Sequence, residues 1–310
     1  MTGNVFQFAW EVRLIEWIQH VISLFPFLEY VFEALTFFGE PVIPVLVFGM
    51  YYLGLDKQKG RKLFLNIIFA QVLSNELKNI VKRVRPYFAN DTIKCLRPAV
   101  AFDDAMDIHL QGYSFPSGHT TQIFNLTHFF IRENRKRSIN VFWIIVSILV
   151  AISRFSLGVH YPTDVLAGAL IGVLSGFVIC SVFEKFGEKA AYLLVFVFAI
   201  PGFFFCTTKD FHSVLGILIG FYFGDMVEKK YVNFSSTDNK LEALLRVIGA
   251  SLVFAGLNTL LKMLLSNFNL DNTWVLRTSY VIRYAIGTFL AIGIYPRLFK
   301  YLHFPEKKEA

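Results

Sequence analysis

Two histidines, His119 and His160, each sit in a short pattern suited to handling phosphate. Lys78 precedes Arg85-Pro86 by seven positions; then come Pro116-Ser117-Gly118-His119, and last Ser153-Arg154, His160 and Asp164. A phosphate monoester carries about two negative charges, and its transfer spreads charge over three equatorial oxygens that cations must meet. Arg85 and Arg154 can each make bidentate contacts to oxygen pairs. Lys78 and Arg85 share a face if their helix continues to Pro86. Ser117 and Gly118 stand where a helix begins, and its free N–H groups and positive dipole end bind anions. Gly118 also lets the backbone approach closely. Lys78, Arg85, Ser117, Gly118 and Arg154 are therefore the candidate phosphate cradle.

The histidines supply the chemistry. A nucleophilic histidine needs a bare Nε2 facing phosphorus and a partner holding Nδ1–H. Asp164 follows His160 by one turn of a helix begun near Pro162, which suits an orienting carboxylate. His119 is then available as the general acid that protonates the departing oxygen. Taken singly, these features have plain structural explanations. A His or Arg at a span end is commonly an interfacial anchor, Lys78 alone would be a snorkelling lysine, and Pro-Ser-Gly is a common helix start. Their co-occurrence, in order and on one face, favours the catalytic reading.

With these three motifs the sequence resembles the type 2 phosphatidic acid phosphatase superfamily, which includes lipid phosphate phosphatases, undecaprenyl diphosphate phosphatases, glucose-6-phosphatase and the vanadium haloperoxidases. The resemblance covers residues 27–184. It implies His160 as nucleophile, Asp164 as its partner, His119 as general acid, and Lys78, Arg85, Ser117, Gly118 and Arg154 as the phosphate cradle. It also implies a metal-independent reaction without a cofactor. Hydrolysis of a lipid or polyprenyl phosphate or diphosphate is the leading reading. The motifs do not separate it from phosphotransfer through the same phosphohistidine, or from hydrolysis of a soluble sugar phosphate. A transporter is the reading from another class, but such folds often show duplicated halves, and none is visible here.

The elements that must position these residues are membrane helices. Of 310 residues, 55% are hydrophobic and 17% charged, with a mean hydropathy of +0.51. A soluble surface needs more charge than that. Apolar runs of about 20 residues can cross the hydrocarbon core as helices. The pattern predicts an all-α, multi-pass bundle of about nine spans. They run roughly 27–54, 62–79, 117–131, 141–158, 162–184, 190–208, 212–227, 242–264 and 275–296. Ahead of them, residues 13–25 predict an amphipathic helix on the membrane surface. Its polar stripe is Arg13, Glu16, His20 and Ser23, and Trp17 lies on its apolar face. The division expected is an interfacial helix at 1–26, a catalytic core at 27–185 and a transmembrane extension at 186–310. No cleavable signal peptide is evident at the start.

The net charge of +7 would suggest nucleic acid in a soluble chain, but the basic residues fall in short loops rather than in a stripe with interleaved aromatics. Loops at 55–62, 132–140, 185–189, 226–241 and 297–310 carry 17 Lys and Arg, against 8 on the other side. The positive-inside rule places the first set in the cytoplasm and the three motifs on the extracytoplasmic face. The loop 87–115 is long enough for a substrate lid. Within it, Asp103, Asp104, Asp107 and His109 read as a solvated acidic loop rather than a metal site. Cys95, Cys180 and Cys206 make no disulfide or zinc pattern. Arg246, Asn258, Lys262, Arg277 and Arg283 fall in or beside the last two spans and are expected to pair structurally or snorkel. Glu76 does not share the face of Lys78.

Overall fold

The computed structural model describes residues 6–97, 112–133, 136–265 and 272–301, and every element among them is helical. In chain order the α-helices are α1 (Ala9–Leu24), α2 (Phe27–Thr36), α3 (Val42–Gly49), α4 (Lys57–Val81), α5 (Pro86–Ala89) and α6 (Gly118–Glu133). They continue with α7 (Arg137–Ser156), α8 (Pro162–Phe186), α9 (Glu188–Phe205), α10 (Lys209–Val227), α11 (Lys240–Leu265) and α12 (Thr273–Phe289). Asp103, Asp104, Asp107 and His109, with the rest of 98–111 in the middle of the expected lid, lie outside the described residues.

Among the described residues, seven helical stretches are long and apolar enough to cross a membrane: Phe27–Leu55, Arg137–Ser156, Pro162–Phe186, Glu188–Phe205, Lys209–Val232, Lys240–Leu265 and Thr273–Tyr301. The chain is an integral, multi-pass membrane protein. Two helices at the sites of expected spans, α4 and α6, are not among the seven. Helix α4 opens on Lys57, Lys59, Arg61 and Lys62 and buries Asn66, Ser74, Asn75 and Asn79 beside Leu63, Leu65, Ile68 and Val72, so charge and polar side chains interrupt its apolar run. Helix α6 has 16 residues and at 1.5 Å each is only about 24 Å long.

The chain divides into two compact units, residues 1–44 with 65–198, and 45–64 with 199–310. In the first, α6 packs along α8 because α8 presents Gly168, Gly172 and Gly176 to it. A Cβ on Gly168 would lie 2.6 Å from the Ser117 carbonyl oxygen, and one on Gly172 would lie 2.4 Å from that of Thr121. Asn125 seals the seam by donating to the Gly172 carbonyl at 3.2 Å and to Ser175 Oγ at 3.1 Å. Thr127 and Ser147 hydroxyls, 2.6 Å apart, tie α6 to α7. Helix α1 leaves Trp17, Arg13 and His20 exposed and buries Glu11, Ile15 and Ile22. Ile15 joins Tyr87, Ile93, Leu157, Val159 and Tyr161 in a small core.

In the second unit α10 and α12 meet at Gly216 and Gly220, where a Cβ would come within 2.5 Å and 2.3 Å of the Val281 and Ala285 carbonyl oxygens. Buried charges there are paired, as an apolar interior requires. Arg61 donates to Asp225 at 2.7 Å, Lys57 to Glu228 at 2.5 Å, and Tyr52 OH to Asp225 at 2.7 Å. Arg246 pairs with Glu242 and donates to the Leu53 and Ser235 carbonyls, while Arg277 and Arg283 lie against the rings of Trp274 and of Tyr280 and Tyr284. Structural pairing therefore accounts for these three arginines. Lys262 is exposed.

Candidate active site

The first motif comes from two elements rather than one. Helix α4 ends at Val81, and Lys82 adopts a left-handed conformation with φ 52°. The chain restarts with Arg85 in extended conformation as the N-cap of α5, whose first residue is Pro86. A residue before proline avoids the helical region, so the condition for Lys78 and Arg85 to share one helix face, a helix continuing to Pro86, is not met. Lys78 and Arg85 still converge. Lys78 Nζ lies 3.4 Å from the Tyr113 carbonyl oxygen and 3.9 Å from where a Gly118 Cβ would stand. Arg85 is buried and donates to the carbonyls of Gly112 at 3.0 Å and Val159 at 3.2 Å.

The second motif opens α6. Ser117 is buried, and its N–H donates to the Asp164 carbonyl at 3.0 Å, which joins the start of α6 to the start of α8. Among the described residues only Lys78 Nζ, at 3.9 Å, would come within 4 Å of a Cβ at Gly118. His119 Nε2 lies 3.3 Å from Glu40 Oε1, and the same carboxylate oxygen is 3.2 Å from Arg97 Nη2.

The third motif spans the turn from α7 to α8. Arg154, in the last turn of α7, is buried and donates to Thr36 Oγ1 at 2.5 Å. Gly158 has φ 76°, and a Cβ there would fall 2.3 Å from the Lys94 carbonyl oxygen, so only glycine fits this turn. His160 is buried, and its Nδ1 lies 2.8 Å from the Ser114 carbonyl oxygen. A carbonyl can only accept, so Nδ1 carries the hydrogen and Nε2 keeps its lone pair. Burial, followed by the positive charges of Arg85, Arg154 and Lys78 and by His119, pushes the His160 pKa well below the usual histidine value. These causes favour the neutral imidazole.

Asp164 differs in detail from the expected partner of His160. Its Oδ2 stands 3.7 Å from His160 Nδ1 and accepts the Tyr161 N–H at 2.7 Å. The direct hydrogen bond to His160 belongs to Ser114. Asp164 Oδ1 is taken by Arg83 Nη1 at 2.6 Å. Arg83 is fully buried, and its second terminal nitrogen donates to Glu11 Oε2 at 2.6 Å.

The structure thus gathers Lys78, Arg85, Arg154 and His119 about His160, with Ser117 and Gly118 at the adjoining helix start. Neutral Nε2 among cations can attack a bound phosphate, and His119 can deliver a proton. Glu11, Glu40, Arg83 and Ser114 were not legible as site residues. Arg83 offers a weak signal in the run Lys82-Arg83-Val84-Arg85; Ser114 acts through its backbone carbonyl, which carries no residue signature. Glu11 and Glu40 lie far from the motifs in sequence.

Comparison with known proteins extends this picture. Residues 59–188 match the PAP2 superfamily, and residues 212–308 match the transmembrane extension of PAP2 superfamily phosphatases. Phosphatidylglycerophosphatase B of Bacillus subtilis is 29% identical over 52% of this chain and 77% of its own length. Lipid A 4'-phosphatase of Bacteroides thetaiotaomicron is 33% identical over 39% of this chain and 52% of its own length. The putative undecaprenyl-diphosphatase YbjG of Escherichia coli is 29% identical over 48% of this chain and 70% of its own length. Among solved structures, Aquifex aeolicus LpxE aligns with 56% of this chain and 97% of its own, at 26% identity and a TM-score of 0.47.

Proposed function

Since the chain belongs to the PAP2 superfamily of phosphatases, we propose that it hydrolyses a lipid or polyprenyl phosphate or diphosphate through a phosphohistidine on His160. The observation that carries the mechanism is the 2.8 Å contact of His160 Nδ1 with the Ser114 carbonyl, which leaves Nε2 as the only ring nitrogen able to attack phosphorus. Lys78, Arg85 and Arg154, with the Ser117 hydroxyl and the Gly118 N–H, hold the equatorial oxygens. His119 protonates the leaving oxygen and then takes a proton from the water that attacks the phosphoenzyme. Asp164 steadies the His160 ring by its charge. The relatives' names support a lipid substrate, since they specify phosphatidylglycerophosphate, lipid A and undecaprenyl diphosphate.

The proposal extends to the membrane layout. Helices α4 and α6 complete nine spans, α1 lies in the interface, and the site faces away from the cytoplasm. The loop charges support that orientation. The deciding experiment is a substrate panel with purified enzyme in mixed micelles: phosphatidic acid, phosphatidylglycerophosphate, undecaprenyl diphosphate, a sphingoid phosphate and glucose 6-phosphate. Phosphate release from a lipid member, with a base-stable, acid-labile phosphoprotein that disappears in His160→Ala, is expected. Full activity of His160→Ala would end the mechanism.

A further inference from the structure

Three buried charged side chains lie behind His160, and two of them fall outside the motifs. Arg83 and Glu11 are wholly buried, and so is Asp164. Arg83 Nη1 donates to Asp164 Oδ1 at 2.6 Å and to Thr163 Oγ1 at 2.7 Å, while Nη2 donates to Glu11 Oε2 at 2.6 Å. The other Glu11 oxygen accepts from the Thr163 N–H at 3.0 Å and from its hydroxyl at 2.5 Å. The Arg83 guanidinium is also stacked near the Tyr161 and Phe6 rings, 3.8 Å and 4.2 Å from their centroids. The Arg83 carbonyl accepts the Ser114 N–H at 2.8 Å. Arg83 therefore anchors both neighbours of His160 Nδ1, Ser114 through its backbone and Asp164 through its side chain.

Charge balance gives Glu11 a role. Arg83 and Asp164 alone would neutralise each other. With Glu11 present the buried trio carries one surplus negative charge, and the Asp164 carboxylate 3.7 Å from Nδ1 is where it meets the ring. That charge is needed during the reaction. When the Nε2 lone pair forms the N–P bond and the P–O bond breaks, the proton from His119 goes to the leaving oxygen. The ring keeps its Nδ1–H and becomes positive. When water attacks phosphorus, the N–P pair returns to Nε2, the water proton passes to His119, and the ring is neutral again. A fixed negative charge in a dry site stabilises the charged stage and not the resting one.

We infer that Glu11, on the N-terminal helix, is a positioning residue for catalysis. By neutralising Arg83 it leaves the charge of Asp164 free to stabilise phosphorylated His160. The inference rests on the phosphohistidine reading above. It predicts an effect on kcat rather than on substrate affinity, because Glu11 bonds Arg83 and Thr163, neither of which belongs to the phosphate cradle.

The test uses the full chain in mixed micelles with the best substrate of the panel. Glu11→Gln, which keeps shape and removes charge, is expected to slow kcat and the single-turnover rate of phosphoenzyme formation roughly 10- to 100-fold, with KM changed by less than about two-fold. Glu11→Asp, which keeps the charge, is expected to retain most of kcat. A Glu11→Gln enzyme as fast as wild type would overturn the inference, and so would equal slowing by Gln and Asp, which would show a packing role. A wild-type enzyme that turns over without any phosphoprotein would sink the underlying reading instead, and this one with it.

Discussion

At the residue scale the proposed mechanism works by fixing protons. It requires His160 to offer Nε2 bare, and the Ser114 carbonyl serves that by accepting from Nδ1. His160→Ala is expected to abolish turnover and phosphoenzyme alike. His119→Ala should slow both transfer steps by about 10²- to 10⁴-fold, and less for substrates with good leaving groups. Steady-state and single-turnover kinetics on the same preparations would separate the two. Burial also gives His160 a thermodynamic signature. Its folded pKa lies well below that of the unfolded chain, so above about pH 6.5 neither state binds the proton. As pH falls below that value the unfolded chain takes up a proton that the folded protein refuses, and stability falls. Melting curves between pH 7 and pH 5 should show a steeper acid loss for wild type than for His160→Gln. Equal slopes would show that the ring protonates freely in the folded state.

At the element scale, catalytic alignment depends on how closely α6 lies against α8. Ser117 and His119 ride on the first helix, and His160 and Asp164 on the turn entering the second. Gly172→Leu would force a side chain to within 2.4 Å of the Thr121 carbonyl oxygen and 2.9 Å of Asn125 N. Backbone cannot yield as a flexible side chain would, so overpacking of about 1–3 kcal/mol is expected. The melting temperature should fall by several degrees. Activity per folded molecule should fall too, because the phosphate cradle and the nucleophile move apart. Gly158→Ala tests the other approach. Its φ of 76° and the 2.3 Å clash with the Lys94 carbonyl should cost at least about 1–2 kcal/mol. Thermal unfolding followed by tryptophan fluorescence would report both, and an unshifted midpoint for either would contradict the packing described.

For the whole molecule the questions are which way it faces and what reaches it. Cysteines placed at Asp91 and Lys136, both exposed, in a background lacking native cysteine, should label differently in intact cells. Impermeant reagent is expected to modify the Asp91 site and to spare the Lys136 site; the reverse pattern would put the active site in the cytoplasm. Substrate choice follows from depth. Lys78, Arg85, His119 and His160 all fall at or near helix ends, where lipid headgroups lie. Helix α1, with Trp10 and Trp17 half or more exposed, can border a lateral path from the bilayer. Long-chain phosphates should therefore give the higher kcat/KM at matched phosphate concentration. A larger value for glucose 6-phosphate would favour a soluble sugar ester as the substrate.

What the sequence determined by itself is the chemistry and the class of scaffold. Lys78, Arg85, the Pro116–His119 run, Arg154, His160 and Asp164 carry the likeness to the PAP2 superfamily and point to a phosphate site, because cations and histidines at fixed spacing have few other uses. Apolar runs declare membrane helices because the bilayer leaves backbone no alternative. Hydropathy by itself does not settle the span count, since α4 and α6 are polar or short where they pack inside the protein. Tertiary structure alone decided who touches whom. The first motif breaks at Lys82, so its two cations converge by folding rather than by helical register. The hydrogen of His160 goes to a backbone carbonyl, which any residue could supply and no pattern can mark. Glu11 reaches Arg83 across 72 residues and Glu40 reaches His119 across a similar gap. A buried charge pair depends on how chain segments cross, and sequence spacing carries no record of that.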